Sequence, residues 1–174
     1  MSSLNDVRWI GAWVPWQHVL GPPASHAFQL DAGATLIVEL YYRGADTETT
    51  DESAIDVTFA PAAAHAIDDV AVNADAASGH RLRGSVTLSR STTVWAIQPS
   101  LDPSAKSLEL RAERPDTSVE VLAWIPEARP DWPVALVLQE PVTLPSGTVI
   151  SLVVETGPAE GARRSSRATL SVLR

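Results

Sequence analysis

The sequence predicts an all-β fold, an antiparallel jelly roll or β-sandwich of eight to ten strands, on three observations. Apolar and polar residues alternate with a period of two from about residue 34 onward. No helical spacing persists beyond two turns. Thirteen prolines and nine glycines cut the alternating runs into strand-sized pieces.

The elements follow in order. Residues 34–43 read as a strand, with Leu36, Val38, Leu40 and Tyr42 on one face and Ile37, Glu39, Tyr41 and Arg43 on the other. Further strands are predicted at 54–59, 84–89, 92–98, 107–113, 118–125, 134–138, 148–155 and 168–173. Gly21-Pro22-Pro23, Pro115-Asp116, Pro130-Asp131 and Leu144-Pro145-Ser146-Gly147 mark loops and strand ends, because proline donates no ladder hydrogen bond. The alanine-rich stretch 61–77 has neither a cap nor an apolar stripe, which leaves a helical turn and a loose crossover both open. The whole chain, 1–174, reads as a single β-sandwich unit. Within it, residues 1–50 form an N-terminal lid or partial first module, and 51–174 form the jelly-roll core.

Composition narrows the function. With 45% hydrophobic and 20% charged residues, this is a globular composition. No apolar run reaches the roughly 18 residues of a membrane span. A net charge of -8 argues against a nucleic-acid partner, and the basic group Arg163, Arg164, Arg167 and Arg174 reads as a solvated tail or hairpin. The absence of cysteine excludes disulfides, thiolate metal sites and cysteine nucleophiles. The opening residues MSSLNDVRWIGAWV show no basic start leading into an apolar export stretch. The serines have no nucleophile elbow, and no Gly-rich phosphate loop is present.

Four segments taken in order resemble the copper type II, ascorbate-dependent monooxygenases of the peptidylglycine-hydroxylating kind. They are Gly11-Ala12-Trp13-Val14-Pro15 running on through Pro22-Pro23 to the strand ending Leu40-Tyr41-Tyr42; Asp51-Glu52-Ser53 with Ala54-Ile55-Asp56-Val57; Trp95-Ala96-Ile97-Gln98-Pro99-Ser100-Leu101-Asp102 with its continuation Lys106-Ser107-Leu108-Glu109-Leu110; and the stretch from Pro115 through Trp124, Trp132 and Leu144-Pro145-Ser146-Gly147 to Val154. The resemblance covers about residues 9–156 and implies a jelly-roll fold, an extracytoplasmic setting and two copper sites.

The ligands that the resemblance implies are missing. Tyr41 stands where the family carries a copper-binding histidine, and a phenol is a poor ligand for Cu(I). Ser100 and Asp102 stand at the two positions of the His-x-His strand, keeping its period of two but not its imidazoles. The expected methionine ligand is absent too, the only methionine being Met1. His18, His26, His65 and His80 fall in predicted loops and match no ligand position; His18 and His26 would form at most an adventitious site. The carboxylate pairs Asp51-Glu52 and Asp68-Asp69 read as solvated loop acids.

Trp13, Trp95, Trp124 and Trp132 are expected in the core. Trp9 and Trp16, flanked by prolines and a glycine, are candidates for contact with a partner, with a lid packed on its own sandwich as the other reading. The sequence therefore points to a non-catalytic binding or structural module with no cofactor. It would act as an accessory subunit in a protein complex of the membrane-associated or electron-transfer kind. Two alternatives stand beside this: a copper monooxygenase fragment completed by a partner domain, and a β-sandwich that binds carbohydrate or a small ligand.

Overall fold

The computed structural model describes residues 8–12, 21–42, 44, 47, 48, 50–61, 64–132, 134–158 and 164–174. The described residues contain nine strands and no helix: β1 (His26–Ala27), β2 (His65–Ser78), β3 (Arg81–Thr87), β4 (Thr92–Ser100), β5 (Ala105–Glu113), β6 (Val119–Ile125), β7 (Leu136–Leu144), β8 (Val149–Thr156) and β9 (Ser165–Leu173).

Antiparallel pairing is nested. β2 pairs with β9, β3 with β8, β4 with β7 and β5 with β6, as in one long hairpin closed at the β5–β6 turn. That hairpin is then wrapped, so that β4 also pairs with β9, β5 with β8 and β2 with β3, giving the order β6-β5-β8-β3-β2-β9-β4-β7. A wrapped long hairpin of eight strands is the jelly roll. Both halves of this order, β7-β4-β9-β2 and β3-β8-β5-β6, bury side chains in one common core. Leu170 and Ile97 enter it from the first half, Leu108, Leu110, Ile150 and Leu152 from the second. The unit is thus a two-layer sandwich.

β2 is the strand that passes between layers. It runs beside β9 from Ile67 to Asp75 and beside β3 from Asp75 to Ser78. At the parting point sits Gly84, where a Cβ would overlap the carbonyl group of Asn73 and lie 3.0 Å from the Cα of Ala74. Only glycine lets the two backbones approach so closely. The β7–β8 turn is the one marked by Leu144-Pro145-Ser146-Gly147: Gly147 takes φ 86 and donates its N–H to the carbonyl of Leu88 at 2.8 Å.

Two predicted strands are absent. Residues 34–42 and 50–59 carry no strand and join no ladder among the described residues. The undecided stretch 61–77 resolves instead as most of β2. Its alanines carry little strand propensity, and the pairing is supplied by β9, a hundred residues later.

Candidate functional site

Arg8, Trp9 and Phe28 pack on the outer face of the β7-β4-β9-β2 layer. A bulge in β4 between Val94 and Ala96 breaks the alternation. Val94 and Ile97 therefore face the common core, while Trp95 and Ala96 both face outward and join Ile67 in a second apolar cluster. Trp9 packs on Trp95 with ring centres 6.3 Å apart, and Phe28 closes the triangle at 6.3 Å from Trp9 and 6.2 Å from Trp95. Arg8 fastens this strap. Its guanidinium lies 5.3 Å from the centre of the Phe28 ring, pairs with Asp69 at 2.7 Å and donates to the carbonyl of Ile67. Trp9 is half-buried and rests on its own sandwich; Trp16 lies outside the described residues.

The strap leads into a long excursion with joined ends. His26 pairs with His65 through the short parallel β1–β2 bridge, and the N–H of His65 donates to the carbonyl of Ser25 at 2.8 Å. The two imidazoles lie 5.5 Å apart, so these histidines sit in strands, not in the loops predicted for them. His80 is in the β2–β3 turn, and His18 lies outside the described residues.

Between these ends, the described stretches 29–42 and 50–61 form the two limbs of an arm that carries no strand. Tyr42 donates its hydroxyl to Asp51 at 2.6 Å, linking one limb to the other, and that bond holds the Asp51 carboxyl below its ordinary pKa. Almost every large apolar side chain of the arm is exposed: Leu30, Leu36, Ile37, Val38, Leu40, Tyr41, Tyr42, Ile55, Val57 and Phe59, the last at 87%. Both faces of the 34–42 limb lie open, which strand-like sequence does not sustain as a free surface.

Tyr41, Ser100 and Asp102, the positions singled out by the resemblance, are spread over different roles. Tyr41 donates its hydroxyl to Glu39 at 2.8 Å, a bond that, with slight burial and the carboxylate's charge, raises the phenol above its ordinary pKa. Its ring meets Trp132 at 6.2 Å. Ser100 ends β4, exposed. Asp102 shapes the turn after it: its Oδ1 accepts from the N–H of Ser104 at 2.9 Å and from the Ser104 hydroxyl at 2.5 Å, and its own N–H donates to the Ser166 hydroxyl at 3.0 Å. Among the described residues, no three His, Asp or Glu side chains converge as a metal cluster.

Two surfaces escape the sequence reading. Trp132 does not sit in the core. It lines an open cavity of about 230 Å³ with Pro99, Leu101, Ile125, Pro130 and Leu136, smaller than the pockets that enclose whole ligands. Trp124, also expected inside, is 57% exposed. It shares the outward face of edge strand β6 with Val119 and Val121, both more than half exposed, while Leu122 and Ala123 turn inward at a bulge opposite Leu110 and Arg111. Only the alternation's phase, displaced by that bulge, distinguishes Trp124 from a core residue.

Fold and surfaces together define a jelly-roll module with a strapped outer face and an unpaired arm. No protein-family model matches the chain, and no curated protein matches it.

Proposed function

We propose that this chain is a non-catalytic jelly-roll module that works by protein contact, as a subunit of a larger assembly. The observation that carries the reading is the arm: strand-like residues 34–42 and 50–59 expose their apolar side chains and lack ladder partners among the described residues, a surface that calls for a protein to cover it. Substitution at the positions resembling copper ligands supports the non-catalytic half. Tyr41 and Asp102 are engaged in local hydrogen bonds, and Ser100 offers a single hydroxyl. No helix among the described residues is long and apolar enough to cross a membrane.

Two measurements test the reading. Elemental analysis after incubation with copper and desalting should find well under one copper per chain; one retained copper per chain with ascorbate-dependent turnover would overturn it. In an extract of the producing cell, the chain should elute in a species heavier than its 18.6 kDa. Elution there as a lone monomer would equally count against it.

A further inference from the structure

The arm and one edge of the sandwich fit each other. The eight-stranded order leaves two edges, β7 and β6. β7 is blunted: Pro141 interrupts its donors, and Gln139, Glu140 and Thr143 are exposed along it. β6 has none of these defences. The sequence Val119-Glu120-Val121-Leu122-Ala123-Trp124-Ile125 contains no proline or lysine. Its one charge, Glu120, is neutralised by Arg114 at 2.6 Å, and Val119, Val121 and Trp124 stand exposed along the outward face.

The limb 34–42 has the complementary character. It alternates with a period of two, contains β-branched and aromatic residues, bears the single charge Glu39, and at nine residues is as long as the strands of the body. Among the described residues of its own chain the β6 edge is unpaired on its outer side; Tyr41 touches Trp132, in the β6–β7 connection.

We infer that residues 34–42 add as a strand to the β6 edge of a second copy of this chain. This rests on the assembly-module reading above and names its partner. Each copy carries one unpaired limb and one unguarded edge, so donor and acceptor match in number without a second protein. The limb brings one negative charge to an edge whose own carboxylate is already paired, so the net charge of -8 does not oppose the contact locally. In a reciprocal exchange each copy covers its partner's limb, on which Leu36, Ile37, Val38, Leu40, Tyr41 and Tyr42 stand exposed, together with its partner's edge, where Val119, Val121 and Trp124 stand exposed, so the two contacts add in one interface. Because limb and edge are different surfaces, the contact is head-to-tail: it closes as a reciprocal exchange between two copies, as a ring, or it propagates.

The test uses the full chain and two variants altered only at exposed positions, Ile37→Asp with Leu40→Asp in the arm and Val121→Lys with Trp124→Lys on the edge. Light scattering on the purified wild type should give a multiple of 18.6 kDa that falls on dilution. Each variant alone should be monomeric, with far-ultraviolet circular dichroism unchanged. Mixing the two variants should restore association, because the edge variant still donates an arm and the arm variant still accepts one. A wild type that stays monomeric at every concentration overturns the inference. So does self-association that survives the arm substitutions, and so does a mixture of monomeric variants that fails to associate. None of these outcomes bears on the copper measurement, which tests the underlying reading separately.

Discussion

A methyl group added at Gly84 meets backbone on the neighbouring strand, the carbonyl of Asn73 and the Cα of Ala74, and neither can turn aside as a side chain would. Gly84→Ala should therefore destabilise the chain by about 2–4 kcal/mol in equilibrium denaturation, well above the ordinary cost of a surface substitution. At Thr117 the sign reverses. This β-branched residue takes φ 68 in the β5–β6 turn, and Thr117→Gly should raise stability by about 1 kcal/mol. In the same turn, the Ser118 hydroxyl and N–H donate to Asp116 at 2.6 and 3.0 Å and hold its carboxyl below the ordinary pKa. A carboxyl depressed in the folded state contributes stability above its unfolded pKa and loses it as pH falls through the folded value. Asp116→Ala should lower the denaturation midpoint near pH 7, by an amount that shrinks as pH falls below the ordinary aspartate range. The sequence announced these turns through Pro115-Asp116 and Pro145-Ser146-Gly147. The requirement at Gly84 was hidden, since it arises from a strand crossing that no local pattern encodes.

Among the elements, β3 to β9 were legible from alternation and turn residues, with boundaries displaced by a few positions. β2 was not, because alanine and aspartate dominate it and its pairing comes from β9. The 34–42 and 54–59 runs failed in the opposite direction: their pattern is that of strands, yet a strand needs a neighbour that the described chain does not provide. Bulges set which way two of the tryptophans face, Trp95 being buried as expected and Trp124 not. In β4 the bulge turns Trp95 onto the outer face, where the strap buries it to 4% exposure; in β6 another leaves Trp124 outside. Trp95→Ala should cost about 3–5 kcal/mol by denaturation, since it empties the centre of the cluster that also seats Trp9 and Phe28. Increased protease cleavage near residues 8–12 should accompany it.

For the whole molecule, the wrapped hairpin places the first and last strands of the body side by side, with Ile67 opposite Leu173. Such pairings close long loops before any contact offsets their entropy. Refolding followed by stopped-flow fluorescence should thus occupy milliseconds to seconds or longer, slower than for helical domains of similar size. Fold class could be read from the chain because it depends on local periodicity. The candidate surfaces could not, because which strand lies at an edge, and which apolar run is left unpaired, follow only from topology.

The bridge between His26 and His65 gives the arm a property of its own. The described residues between Phe28 and His65 lie between two neighbouring points on the body, so the length and content of that stretch can change without moving any strand of the sandwich. The body is in effect a chassis with a cassette slot, into which a foreign hairpin or epitope can be grafted at the histidine pair while the eight-stranded frame is kept. Descent with variation would have the same freedom, recasting the arm far faster than the frame that carries it.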